Sequence, residues 1–298
     1  MALAALSGDE QCIIFSQLCN TLDPGTAVAF GSINSELRTL TQAERQQLRA
    51  DHEAAAALGC RAGMRSCKEL REAKMIKFGR KGLSSDDLAL LGTLGLVLPA
   101  LEMLTLNEPA AGPDGVQRLA EKLGAGALPA LAFFQLHRMH VGDAGASALA
   151  AALGRGALLR LKELNLTNTA IVDAGLVALA PALRRLPALE TLSLAKSRYS
   201  HATNPFGDEG LAALVAPLPP PPAGAPPPPT GVLTKLKRLR LNHTQITDAG
   251  CAALAAALDS GVLPALSYLH LNGTPASAAA QAAVRDAQAR SIAARVPY

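Results

Sequence analysis

Two histidines three residues apart, in the stretch HRMH at 137–140, are the first residues of this chain that could do chemistry. Imidazole is a common metal ligand, but a metal site needs further Cys, His or carboxylate groups at set spacing, and none accompanies His137 and His140. The five cysteines (Cys12, Cys19, Cys60, Cys67, Cys251) are odd in number, scattered, and lack a C-x-x-C pair. They read as reduced thiols of a cytoplasmic or nuclear protein. The runs GAGA (124–127) and GRGA (154–157) offer glycines, yet a phosphate-cradling loop needs them after a strand and before a helix. Both follow helical patterns instead, so they read as turn glycines. Ser147, in GASAL, lies inside a helical pattern and has no assignable histidine to activate it. No catalytic residue, metal or cofactor is expected, and the chain reads as non-enzymatic.

The elements that would position any site come from composition and repetition. Apolar residues make up 49% of the 298, but aromatics only 3%, and Trp is absent. A core of Leu, Ala and Val favours thin repetitive packing. The net charge of +4, from 28 basic and 24 acidic residues, is too mild to argue for nucleic acid, especially without aromatics to stack on bases. The start, MALAALSGDE, has no basic region ahead of its apolar run, so no signal peptide is expected. The uncharged run Leu88–Leu101, interrupted by Gly92, Gly95 and Pro99, falls short of the roughly 20 residues that span a bilayer.

The pattern L-x-x-L-x-x-L-x-L begins at Leu98, Leu128, Leu158, Leu186, Leu233 and Leu263, with a fainter unit at Leu70, Ala73, Ile76 and Phe78. Most spacings are 28 to 30 residues. The longer step before Leu233 is explained by insertions at 197–203 and 217–230, the second a proline run, PLPPPPAGAPPPPTG. Proline fixes an extended backbone, and the run reads as a spacer or as a ligand for a proline-binding domain. Within each unit L-x-L alternates as a strand does, while segments such as DAGCAALAAAL carry helical spacing. Asp143, Asp173, Asp208 and Asp248 stand where an N-cap belongs, and Gly154 and Gly261 near the helix ends, where left-handed residues are common. One strand–helix unit cannot bury its apolar face alone, so the copies are expected to stack into a continuous core.

On these residues the chain resembles a leucine-rich repeat protein, and the unit length with a full helix resembles the ribonuclease-inhibitor-like subclass. The resemblance implies an α/β solenoid over residues 70–298 of about seven units, with a parallel sheet on the concave face and helices on the convex face. The family's Asn or Cys after the strand is replaced by Thr169, Thr244 and Thr274 in three units, is Asn204 in one, and is Pro109 and Met139 in two. Those last two turns are expected to rely on other contacts. Ran GTPase-activating proteins share the subclass but carry an acidic C-terminal region, whereas this chain ends in the basic RDAQARSIAARVPY.

In L-x-L the leucines point inward, so the residues between and beside them face the concave side. One column runs Met103, Phe133, Glu163, Thr191, Arg238, Tyr268. A second runs Thr105, Gln135, Asn165, Ser193, Arg240, His270, and a third begins Asn107, His137, Thr167. Exposed aromatics and arginines are enriched where interfaces gain most of their energy. The candidate partner-binding set is therefore Phe133, Gln135, His137, Arg138, Glu163, Asn165, Arg238, Arg240, Tyr268 and His270, with a protein as the partner.

Residues 1–69 lack the repeat and read as a helical cap. A helix is expected to open on a capping box of Thr41 and Glu44 and to close at Gly59, with a second box at Ser66 and Glu69. Within this segment, residues 6–40 resemble an F-box through Leu6, Glu10, Ile14, Phe15, Leu18, Asp23, Pro24 and Leu37, with Ser7 in place of the usual proline. An F-box ahead of leucine-rich repeats resembles substrate receptors of ubiquitin ligases. That resemblance implies that Ile14, Phe15 and Leu18 contact the ligase adaptor. As a cap, the same residues would be buried against the first repeat.

Overall fold

Alternation dictates strands and helical spacing dictates helices. The computed structural model, which describes residues 7–197, 204–216 and 233–294, shows both in strict succession. Five helices come first: α1 (Gly8–Leu18), α2 (Gly25–Phe30), α3 (Ser35–Leu40), α4 (Gln42–Arg61) and α5 (Cys67–Glu72). The repeats follow as β1 (Met75–Gly79), α6 (Ser85–Thr93), β2 (Met103–Asn107), α7 (Gly115–Lys122), β3 (Phe133–Leu136) and α8 (Gly142–Gly154). Then come β4 (Glu163–Asn165), α9 (Asp173–Arg184), β5 (Thr191–Ser193), α10 (Asp208–Val215), β6 (Arg238–Arg240), α11 (Asp248–Asp259), β7 (Tyr268–His270) and α12 (Ala278–Ala293). The strands form one parallel sheet in sequential order. Leu6, the insertion after Ser197 and the proline run lie outside the described residues.

The faint first unit is a genuine strand, with Ile76 and Phe78 buried and their neighbours exposed. Leu104, Leu106, Phe134, Leu136, Leu164, Leu166, Leu192, Leu194, Leu239 and Leu241 continue the inner face, all at 2% exposure or less. Each such burial contributes about 1.5–3 kcal/mol, and one continuous core runs from Leu22 to Ala287. The leucines that open three units, Leu128, Leu158 and Leu233, have positive φ. That backbone region costs a side-chain-bearing residue about 1–2 kcal/mol, but all three are at most 2% exposed, and burial of a leucine offsets the strain.

Asp143, Asp173 and Asp208 do not cap their own helices. In the first turn of a helix the Cβ tilts toward the N-terminus, and each carboxylate reaches the start of the next repeat's helix instead. Asp143 Oδ1 accepts from the amides of Val172 (3.1 Å) and Gly175 (3.0 Å), and Asp173 Oδ1 from Gly207 (2.9 Å) and Gly210 (2.7 Å). Asp208 accepts from the Thr247 amide (2.8 Å) and hydroxyl (2.5 Å), and Asp248 from the Ser277 amide (2.6 Å). Three of the four glycines two residues after these aspartates have a matching reason. A Cβ on Gly175 or Gly250 would overlap the carboxylate of Asp143 or Asp208, and one on Gly210 would lie 2.8 Å from Asp173 Oδ1. Thus D-x-G encodes an inter-repeat ladder in which each Asp accepts from amides at the start of the next unit's helix, and Gly175, Gly210 and Gly250 leave room for the carboxylate of the unit before. At the opposite ends of the helices Gly261 is left-handed as expected, whereas Gly154 closes α8 as its last helical residue. In GAGA and GRGA it is the second glycine, Gly126 or Gly156, that takes positive φ.

The turns after the strands show how the missing asparagines are replaced. Thr169, Thr244 and Thr274 donate their hydroxyls to the carbonyls of Leu166, Leu241 and Leu271 at 2.7–2.9 Å. Asn204 spans two turns, donating to Leu166 (2.6 Å) and Leu194 (2.9 Å) carbonyls and accepting from the Thr169 amide (2.8 Å). In the unit with Pro109, Glu108 takes over: 1% exposed, it accepts from the amides of Lys81, Gly82 and Leu83. Met139 serves the neighbouring turn with its sulfur, which accepts from the Glu108 amide at 3.0 Å.

The N-terminal helices hold two cores. Phe15, Ala27 and Leu48 form a small one, with Leu18, Cys19 and Phe30 against it. Ala55 and Leu58, in the second half of α4, join the main core. Helix α4 therefore links the two, and Arg61 pairs with Asp87 at the start of α6. Burial pushes the Asp87 carboxyl up, but the bonds from Arg61 and Ser84 outweigh it and hold the group below its usual range. The Thr41 hydroxyl donates back to Leu37 (2.7 Å) rather than capping α4, and α4 runs on past Gly59 to Arg61. Ser66 caps α5 alone, since Glu69 accepts from Arg65. A complete capping box stands instead at Ser7 and Glu10.

Candidate interaction face

Strand register sets the outward columns residue by residue. Met75, Met103, Phe133, Glu163, Thr191, Arg238 and Tyr268 are partners in succession, as are Lys77, Thr105, Gln135, Asn165, Ser193, Arg240 and His270. The expected columns thus lie side by side on the sheet face away from the helices.

The face is not uniform. On the β2–β4 side the polar groups are spent on one another: Thr105 donates to Gln135 Oε1 and Gln135 to Glu163 Oε1, both at 3.2 Å. Asn165 accepts from the Thr167 amide at 3.0 Å and so braces its own turn. Phe133 is half-buried, flanked by Met103 and Glu163. His137 is also half-buried, and burial, helped by neighbouring Arg138, lowers its pKa so that the neutral ring is favoured. Arg138 is exposed on a left-handed turn.

At β5 the face sinks. Thr191, Ser193 and Ala195 are buried, at 7%, 3% and 8% exposure, although they face outward. These small side chains are flanked on one side by Glu163 and Asn165 and on the other by Arg238 and Arg240. Ser193 and Thr167 share a hydrogen bond at 2.9 Å. A cleft of about 300 Å³ opens here, walled by Lys196, Arg240, Asn242, His243 and His270 over Thr167 and Ser193. Arg238 and Arg240 are exposed, and among the described residues neither has a carboxylate partner. Tyr268, 44% exposed, leans on His270 with ring centroids 4.3 Å apart.

Of the ten expected face residues, Arg240 and His270 line the cleft, Arg238 and Tyr268 border it in the first column, and the other six lie toward β3 and β4. Lys196 and His243 were missed as cleft residues, and Asn242, which stands in the third column, was left out of the candidate set. Lys196 and His243 sit one place past the third column, the position that Arg138 holds in its own unit, so the repeat alignment carried the signal.

Of the expected adaptor contacts, Phe15 is 2% exposed and Leu18 packs beside it, so the aromatic ring is turned inward rather than presented. Ile14 is half-buried, and Ile13 is the exposed member of the helix at 59%. The small core around Phe15 is separate from that of the repeats, so these residues are not packed against the first unit either. No described helix is long and apolar enough to cross a membrane.

Residues 161–180 and 232–255 match the family model described as Leucine Rich repeat. A solved structure titled Leiomodin-1 Actin-Binding Site 2 (ABS2) is similar at 15% identity and a TM-score of 0.39, over 70% of this chain and 90% of that one. No curated protein matches the chain. Seven parallel strands alternating with helices, with matched repeats among them, make this fold a leucine-rich repeat solenoid.

Proposed function

We propose that this leucine-rich repeat solenoid is a non-enzymatic interaction module that takes a protein partner on the outward, concave face of its sheet. The observation that carries the reading is the exposed group Arg238, Arg240 and Tyr268, held in register beside a trough of small residues. Rigid strands present these side chains at fixed spacing, which lowers the ordering cost of binding. Arginine and tyrosine supply large contact areas with polar ends. The unit length and full helices support the ribonuclease-inhibitor-like subclass within the family. A photo-crosslinking side chain placed at Thr105 or Asn165 should capture a discrete protein, and one at Val177 on the helical side should not. Capture must be lost on Arg238→Glu with Arg240→Glu. Equal capture from both sides would overturn the reading.

A second reading, an F-box-like segment that docks on a ubiquitin-ligase adaptor, is favoured by Ile13, Ile33 and Leu40. Ile13 on α1, Ile33 in the turn between α2 and α3, and Leu40 at the end of α3 are 59%, 56% and 45% exposed. Co-purification of the adaptor with wild-type chain but not with Ile13→Glu would support it.

A further inference from the structure

We infer that the cleft beside β6 receives an extended acidic segment of a partner protein, an inference that rests on the interaction-module reading and adds the partner's chemistry. Among the described residues, the charged side chains that line it, Lys196 and Arg240, are both basic. Arg238 and Arg240 stand exposed on β6, Lys196 and Arg240 wall the cleft, and His243 and His270 close it. Among the described residues no carboxylate lines the cleft. Nearby, Lys237 is already held by Glu190 at 2.9 Å, whereas Lys196, Arg238 and Arg240 have no carboxylate partner among the described residues.

Geometry selects an extended chain. Arg238 and Arg240 lie two residues apart on one strand, so their stems leave the sheet roughly 7 Å apart. Alternate side chains of an extended peptide have the same period, which lets carboxylates at every second position meet the two guanidinium forks. Each fork can take a carboxylate through paired N–H donors. The floor of the trough, Ser193 and Ala195, is small enough to admit a backbone between the walls.

The wall also selects a peptide over a nucleic-acid strand. Asn242 lines the cleft, and its Oδ1 is buried with no hydrogen-bond partner among the described residues. An unpaired carbonyl oxygen needs a donor, which a peptide N–H supplies and a phosphodiester, offering acceptors alone, does not. The basic patch is also short. Glu163 stands in the first column two strands from Arg238, where a long polyanion crossing the face would meet it.

The test is fluorescence anisotropy on the full chain with three labelled probes: a decapeptide alternating Glu and Thr, its Lys/Thr counterpart, and a ten-nucleotide oligothymidylate. The Glu/Thr peptide should bind, weaken with added salt, and lose at least about tenfold in affinity in Arg238→Gln with Arg240→Gln, the order expected for losing paired charges at an interface. Arg49→Gln with Arg71→Gln, exposed on α4 and α5, should leave binding unchanged, and circular dichroism should show both variants folded. No binding of the Glu/Thr peptide, equal loss in the remote variant, or tighter binding of the oligothymidylate would each overturn the inference. If the peptide fails while outward-face crosslinking still captures a protein, the acidic segment is refuted and the interaction module stands. If both fail, both are refuted.

Discussion

Asp173→Ala tests the inter-repeat ladder most directly. Asp173 Oδ1 accepts from the amides of Gly207 and Gly210, both at the start of the following helix. Removing an N-cap acceptor costs typically about 1 kcal/mol and up to about 2. Here two half-buried amides lose one acceptor together, so a loss of about 2 kcal/mol is expected. The sharper test pairs it with Gly210→Ala. In the wild type the new Cβ would lie 2.8 Å from Asp173 Oδ1 and 3.1 Å from Leu176 Cβ. Overpacking of that kind costs roughly 1–3 kcal/mol, only part of which the roughly 1 kcal/mol helix-propensity gain over glycine offsets. With Asp173 already truncated the tightest contact disappears, and the same Ala should be neutral or stabilising. Urea denaturation of the four proteins of the cycle should therefore give a coupling of about 1–2 kcal/mol, well above the ~0.5 kcal/mol scatter of independent sites. Additive effects would refute the ladder and return Asp173 to capping its own helix.

Four further outcomes are expected. Leu166→Ala, at the centre of the sheet, should destabilise by about 2–5 kcal/mol, and Leu271→Ala, already 7% exposed in the last unit, by less; equal losses in chemical denaturation would contradict the stacked core. Asn204→Ala should cost about 3 kcal/mol, because it leaves two buried carbonyls and an amide without their partner, and urea midpoints would show it. Phe15→Ala should destabilise α1–α3 by about 3–5 kcal/mol, with hydrogen exchange rising there but not in α8 or α9, since the two cores are separate. Burial holds the folded-state pKa of His137 below the usual imidazole value of about 6.5, so the unfolded chain takes up the proton first as pH falls. Its contribution is full above that value and lost as pH falls through the folded pKa, and His137→Gln should flatten the fall in melting temperature between about pH 7.5 and 5.5.

Periodicity alone determined the solenoid, because each unit repeats the same two periods, and a period of two cannot serve as a helix nor one of 3.6 as a strand. It determined the outward columns for the same reason: with L-x-L fixed inward, the residues between have no other face to take. The complete capping box at Ser7 and Glu10 was equally legible, since Ser and Glu stand three residues apart at the start of an apolar run. What the local pattern could not decide was where a side chain finds its partner when that partner is a repeat away. Asp143, Asp173 and Asp208 look like caps of their own helices, and only the lateral packing of parallel helices turns them toward the next one. Glu108 likewise replaces the expected asparagine from one place before the motif position, and Met139 does so at that position with a sulfur that nothing in the pattern marks as an acceptor. The cleft belongs to the same class: Lys196, Arg240 and His243 come from two units joined across an insertion, and the small residues of β5 become a trough only when register sets them between longer neighbours. Sequence spells what each unit can do alone; proximity between units, which burial and strand pairing create, decides which polar groups meet.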